Sequence, residues 1–269
     1  MLKKVMVQRS DYHKRLFEDK VFSINHEKVA SNADSSNKLS KKIAFEVLNL
    51  LSSNISVGDK IPPQSLGIKF EKRTAEFIKN TFPLLKAYRP GNWEVINGSS
   101  RISDFAQYQH LNDILEISKK HPELTASIGT DYLITPDIVV LRNTYENKSK
   151  ISSNSDLFGE LPILHANISA KFTMRSDRAQ NSRTEALNMI RNRKGALPHI
   201  VVVTAEPLPS RIASIALGTG DIDCVYHVCL YELERVVNKI DGESKVLLDT
   251  LIKGNRLKDI FDLPFDLAT

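Results

Sequence analysis

Cysteine is scarce in this chain of 269 residues, which holds only two. A secreted domain stapled by disulfides would carry more, so the count points to a reducing cytoplasm. Cys224 and Cys229 stand five apart in a strand-like run, which puts them on opposite faces. They cannot pair within that strand or share a metal, and read as core. Long apolar runs are missing too. The run Ile200 to Val203, with Ala205 beyond Thr204, falls far short of the ~20 residues a spanning helix needs. The stretch Met1 to Arg9 turns polar before a signal core could form, so neither secretion nor a membrane partner is expected. Glycine and proline number 11 each, with no heptads and no repeat, which excludes collagen-like, coiled-coil and solenoid bodies. Phosphate loops, Gly-x-Gly-x-x-Gly, His-Glu-x-x-His and zinc spacings are all absent.

What is present is a globular composition, 41% hydrophobic and 26% charged. The formal charge is +5, a mild excess for the length. Its location is more informative. Between Lys171 and Lys194 lie seven bases (Lys171, Arg175, Arg178, Arg183, Arg191, Arg193, Lys194) against two acids, Asp177 and Glu185, so this segment holds the whole excess. Charge alone leaves two readings open, a solvated helix face or the footprint of a polyanion.

The pattern predicts the following elements. The first 35 residues are polar and mixed. Ser36 is placed to cap a helix running to about Asn54, with Ile43, Val47, Leu50 and Leu51 on one side. After Pro62 and Pro63 a second helix is expected from Gln64 to Phe82, and a third from Ser103 to Lys120. Pro136 to Arg142 reads as a short buried strand, and 143–161 as a polar loop. Leu164 to Phe172 alternates, with Leu164, Ala166, Ile168, Ala170 and Phe172 on one face. A helix over Arg178 to Arg193, the strand His199 to Thr204, a strand near Ile222 to Leu230 and a helical end follow. Trp93 is expected in a loop. Strands interleaved with helices give an α/β class, a mixed sheet flanked by helices.

One constellation carries chemistry. Asp137 opens a strand after a proline, and Ser169 and Lys171 share one face of the next because they are two apart. On neighbouring strands Asp137 and Lys171 can meet, the layout of nucleases whose acid holds a divalent metal while a lysine steadies the attacking water. A carboxylate is missing where Ser169 stands. Glu185, fourteen residues after Lys171 in the following helix, can supply one in space. A Ser–Lys hydrolase dyad is a further reading, without an oxyanion loop or nucleophile elbow to support it. Arg178 and Glu185, seven apart, lie on nearly the same helix face. Arginine forks suit guanine and an aspartate can accept from cytosine, so Arg175, Asp177 and Arg178 suit the reading of G·C pairs, while Ser176 or Asp177 can equally cap the helix.

The stretch from His165 to Glu185 resembles the type II restriction endonucleases that cut around a CCGG core. The likeness runs on through Arg191 to Lys194, Val201 to Arg211 and Gly218 to Cys224, and is dense over 162–230. The resemblance implies a restriction-endonuclease-like core of the PD-(D/E)xK type. It implies one endonuclease domain over 1–269, with 1–60 an N-terminal helical part contributing to DNA recognition and 130–230 the catalytic core. It further implies Mg²⁺-dependent cutting of both strands of DNA to leave 5′ overhangs, with two ions per active site. By this likeness Asp137 and Glu185 bind metal, Lys171 orients the water and Ser169 takes the place of the displaced acid. An N-terminal glutamate belongs to such sites. Glu71 is chosen over Glu76, because Glu76 falls among Lys69, Lys72, Arg73 and Lys79 on a polar face. Arg175, Asp177 and Arg178 match readers of the inner CCGG. Arg211 and the stretch Asp34 to Ser36 match contacts to an outer pair, as does Gln64, giving GCCGGC as the target. The resemblance also implies a dimer or tetramer and, in the same cell, a companion DNA methyltransferase.

Two other classes share parts of this pattern. A DNA-binding protein that does not cut would keep the basic segment without needing Asp137 or Lys171. A repair nuclease or resolvase would keep the catalytic groups and read DNA structure instead of sequence.

Overall fold

The computed structural model describes residues 1–52, 55–58, 61–121, 123, 126–127, 129–130, 132–143, 161–174, 176–218, 220–240 and 242–269, without the side chains of 176–178. Six strands form one mixed sheet in chain order: β1 (Asn92–Asn97), β2 (Ile138–Asn143), β3 (Ile163–Lys171), β4 (His199–Thr204), β5 (Cys224–His227) and β6 (Leu257–Asp259). The first three pair antiparallel and the last three continue parallel from β3. Helices α1 (Leu2–Glu18), α2 (Lys38–Leu51), α3 (Pro63–Thr81), α4 (His110–Lys120), α5 (Ser176–Asn192), α6 (Pro209–Ala216), α7 (Leu230–Val237), α8 (Glu243–Lys253) and α9 (Leu263–Asp266) flank it. This bears out the α/β class and the mixed sheet. Buried apolar residues from Val5 to Leu267 belong to one cluster, so the N-terminal helices and the sheet share a core.

β3 is the central strand, and both its faces are covered. His165, Asn167 and Ser169 are buried along with their apolar neighbours. The alternation in sequence therefore marks two interior environments, an apolar face and a polar one that leads to Ser169 and Lys171. On the apolar side α3 packs through Phe70, whose ring lies 5.4 Å from that of Phe172. Burying each ring is worth about 1.5–3 kcal/mol, enough to set where α3 sits against the strand.

Several elements differ from expectation, each for a local reason. Residues 2–18 form a full helix although they read as polar. Its buried face includes Arg9 and His13, and Arg9 is satisfied by Asp259 and Glu232. The helix after Ser36 is capped by Asn37, whose side chain accepts from the Ser40 N–H; Ser36 bonds Asp34 instead. The stretch from Ser103 is not one helix but two short 3₁₀ turns, Ile102–Asp104 and Ala106–Tyr108, before α4 begins at His110. Gln107 explains the break. Its amide donates to the Leu164 carbonyl at 2.7 Å and its carbonyl accepts the Leu164 N–H at 3.0 Å, completing β3 before β4 begins. Trp93 lies in β1, not in a loop. Both cysteines are free and buried, as expected of core residues, though Cys229 lies past the end of β5. Residues 144–160 of the expected loop lie outside the described residues. Among the described residues, no helix is long and apolar enough to cross a membrane.

Candidate active site

Asp137 immediately precedes β2, and its carbonyl accepts the Gly98 N–H at 2.8 Å. That bond ties the turn after β1 to the start of β2 and fixes the backbone beneath the carboxylate. Across the β2–β3 ladder, Lys171 Nζ donates to Asp137 Oδ2 at 2.7 Å. The Ala170 N–H donates to the same oxygen at 2.9 Å, and Ser169 Oγ lies 3.5 Å from it. Three donors thus converge on Oδ2, and no hydrogen bond among the described residues reaches Oδ1.

Two glutamates border this pair. Glu71 stands on α3 next to Phe70, so the Phe70–Phe172 contact brings it to the end of β3. Burial pushes its carboxyl up to about 7; the negative Asp137 adds to the rise and Lys171 opposes it. Glu185 on α5 is raised as well, by burial first, with Lys171 opposing and Asp137 adding. Both glutamates therefore feel the Asp137–Lys171 pair directly. Glu76 does not join them. It lies 2.6 Å from Arg73 and 3.6 Å from Arg15, in an ion-pair cluster that also draws in Asp19 through Arg73. Of the two glutamates on this helix, Glu71 therefore lies beside Asp137 and Lys171, and Glu76 lies in the ion-pair cluster.

Sequence reasoning missed Ser182. Its hydroxyl lies 3.2 Å from that of Ser169 and is buried, tying α5 to β3 midway between Arg178 and Glu185. Four residues after Arg178 and three before Glu185, it shares their helix face, and that spacing was the available signal.

Remote in sequence, Asp34 and Arg211 form an ion pair. Asp34 Oδ1 accepts from the Ser36 backbone N–H at 2.9 Å and from its hydroxyl at 2.7 Å. These bonds to Ser36, with Arg211 beside them, hold the Asp34 carboxyl down at about 2. Three of the four residues assigned to an outer base pair are thus assembled. Gln64 is exposed on the first turn of α3, and among the described residues no hydrogen bond joins it to them. Arg175 lies outside the described residues, as do the side chains of Ser176, Asp177 and Arg178. Arg183, counted within the basic segment, is not free for a polyanion. It pairs with Asp221 and donates to the carbonyls of Ile215 and Leu217 at the end of α6.

A paired lysine and aspartate on adjacent strands, two flanking glutamates and a basic helix form the layout of a metal-assisted nuclease. The family model for the NgoMIV restriction enzyme matches residues 12–269 of this chain. The chain belongs to the NgoMIV restriction enzyme family. It is similar to the type II restriction enzyme NgoMIV of Neisseria gonorrhoeae, at 46% identity over 279 aligned positions covering 97% of each chain. As a member it is a type II restriction enzyme, a hydrolase of DNA phosphodiester bonds, from a class that generally needs Mg²⁺.

The donor chemistry fits that ion. Mg²⁺ takes oxygen ligands and is commonly held by one or two carboxylates, with waters and substrate phosphates completing the shell. Asp137 offers an oxygen free of donors among the described residues, and Glu185 a second carboxylate whose pKa is raised chiefly by burial. Among the described residues no three His, Cys, Asp or Glu side chains form a metal-sized group.

Proposed function

We propose that the chain cuts double-stranded DNA at GCCGGC, hydrolysing one phosphodiester in each strand to leave 5′ overhangs, on a core of the PD-(D/E)xK type. The observation that supports this best is the convergence of Lys171, Ala170 and Ser169 on one oxygen of Asp137, between Glu71 and Glu185. In this reading residues 1–269 act as one endonuclease domain, and the N-terminal 60 residues contribute to DNA recognition.

Asp137 and Glu185 would hold Mg²⁺, with two ions per active site. When bound, Mg²⁺ supplies charge stabilisation at the scissile phosphate and lowers the pKa of coordinated water. Lys171 has one N–H committed to Asp137 and, among the described residues, no other hydrogen bond, and it orients the attacking water. The water oxygen bonds to phosphorus as the bond to the leaving ester oxygen, in line with it, breaks. Ser169 keeps Asp137 oriented in place of the usual second acid, and Glu71 completes the acidic wall of the site.

Base reading is divided between two elements. Arg175, Asp177 and Arg178, with Ser176 at the helix start, read the inner CCGG. Arg211 and Asp34, supported by Ser36, read the outer pair, with Gln64 at its edge. An arginine fork beside a carboxylate carries both halves of G·C recognition, donors for guanine and acceptors for the cytosine amine. A palindrome cut in both strands calls for a two-fold dimer, and the family likeness suggests a tetramer of two such dimers. A companion methyltransferase would protect the same sequence in cytoplasmic host DNA.

The test uses purified protein and plasmid DNA carrying GCCGGC. Linear product that forms in Mg²⁺ and disappears with EDTA supports the reading. Binding without cutting in Mg²⁺, or cutting only at junctions or mismatches, contradicts it.

A further inference from the structure

After β4 the chain turns through Ala205 to Leu208 into α6, and every residue of this turn is buried. Glu206 sits inside it, 1% exposed. Isolated buried carboxylates are costly, and among the described residues the cation facing this one is Arg211, whose Nη1 is 3.9 Å away. Burial accordingly lifts its carboxyl to about 7. Its close partners are backbone N–H groups. Oε2 accepts from Met174 at 2.8 Å and Oε1 from Leu208 at 3.2 Å. The Glu206 backbone is fixed as well, donating to Thr204 Oγ1 at 3.1 Å and accepting from His227 Nε2 at 3.0 Å.

Those partners connect three separate parts of the chain. Met174 is the residue before segment 175–178. Arg211, which faces Glu206 on one side, pairs with Asp34 on the other. Beside them Asn32 Nδ2 donates to the Ala205 carbonyl at 2.7 Å, bringing the turn that carries Asp34 onto the same corner.

We propose that Glu206 is a positioning residue for sequence recognition, whose one carboxylate holds the Met174 backbone just ahead of segment 175–178 and faces the guanidinium of Arg211. The inference rests on the reading of 175–178 and Arg211 as base-reading elements. Glu206 touches no DNA in this account. It ties the Met174 backbone and the Arg211–Asp34 pair to one buried turn, so that a displacement on one side of that turn is felt on the other.

Glu206→Gln tests this, because it keeps the volume and one acceptor oxygen while losing the charge and turning an amide N–H toward a backbone N–H. Two measurements are made. In the free protein, the Met174 amide is expected to exchange its hydrogen at least about tenfold faster in the variant, with the melting temperature kept within a few degrees. On DNA, the ratio of kcat/KM for the wild-type cognate site over sites altered at the outer pair is expected to fall by about tenfold, mostly through KM. A residue that only supported the fold would lower activity on all sites alike and leave this ratio unchanged. An unchanged ratio, or an unchanged Met174 exchange rate, overturns the proposal. Wild-type protein that prefers a site other than GCCGGC would count against the assigned target alone, since both measurements compare the variant with whatever site the wild type cuts.

Discussion

Lys171 reaches Asp137 across the β2–β3 ladder, and its ammonium and the Ala170 N–H land on the same carboxylate oxygen, at 2.7 Å and 2.9 Å. One oxygen of Asp137 is thereby fully committed to the protein, while the other accepts no hydrogen bond among the described residues. The lysine is also held with its charge beside the acid and not in solvent. Lys171→Ala should therefore lower cleavage by about 10²–10⁴-fold, the range expected when a positioned proton-handling group is lost. DNA binding, measured by gel shift without divalent metal, should persist. Loss of binding in parallel with cleavage would mean that Lys171 serves the fold or the DNA backbone instead.

Glu71 and Glu76 make a controlled comparison on one helix. Glu71 faces Asp137 and Lys171, whereas Glu76 is paired with Arg73 and Arg15. Glu71→Gln should reduce kcat by about 10²-fold or more. Glu76→Gln removes a partly exposed ion pair and should cost no more than about 1 kcal/mol of stability, leaving cleavage intact. Single-turnover rates and thermal melts of the two variants decide it.

How far this site could be read from sequence depends on the residue. Ser169 and Lys171 were legible on one face because they stand two apart on a strand, and the pairing with the strand that follows Asp137 had to be supplied. Glu185 was legible by helix periodicity. Glu71 is chosen by family likeness and helix face, while the Phe70–Phe172 contact that brings its helix to the end of β3 is a tertiary fact no local pattern contains. The four strands β2 to β5 and most helices followed from their periods, whereas β1 and β6 did not, and α1 did not either, because its buried face carries Arg9 and His13 and their partners lie more than 200 residues away. The break at 103–109 was hidden for a related reason, since Gln107 trades a helical turn for two bonds to Leu164. Arg183 looked like part of a basic surface until Asp221 and the end of α6 claimed it.

The base-reading assignment separates into inner and outer contacts. Arg178→Ala should abolish cognate cleavage, each lost bidentate contact being worth about 1–3 kcal/mol. Arg211→Ala frees Asp34 from its ion pair and should instead relax discrimination at the outer pair while cutting within CCGG continues. Cleavage rates on oligonucleotides differing only at the outer pair measure this. An Arg211→Ala enzyme as selective as wild type would remove Arg211 from recognition.

His227 gives a pH prediction independent of catalysis. Its Nδ1 accepts the Cys229 N–H at 3.2 Å, so Nε2 must carry the proton donated to the Glu206 carbonyl at 3.0 Å. The neutral ring is thus built in, and burial lowers its pKa from 6.5 to about 4. Between those values the unfolded chain binds more protons than the native one, so this contribution to stability is full above 6.5 and is lost as pH falls toward 4. Glu206, raised to about 7, acts in the opposite direction over the same window. The difference in stability between wild type and His227→Gln isolates the histidine and should shrink by roughly 3 kcal/mol from neutral pH to pH 4. A difference that does not change with pH would show that the ring is not held neutral.

The most direct measurement of the central claim is a cleavage map. Purified protein and Mg²⁺ are applied to DNA containing every outer-pair context of CCGG together with mismatches and junctions, and the cut ends are sequenced. The account predicts cuts in both strands at GCCGGC, leaving 5′ overhangs, with none in the Lys171→Ala protein. Cuts spread evenly over all CCGG contexts, cuts placed by structure instead of sequence, or cuts that survive Lys171→Ala would contradict it.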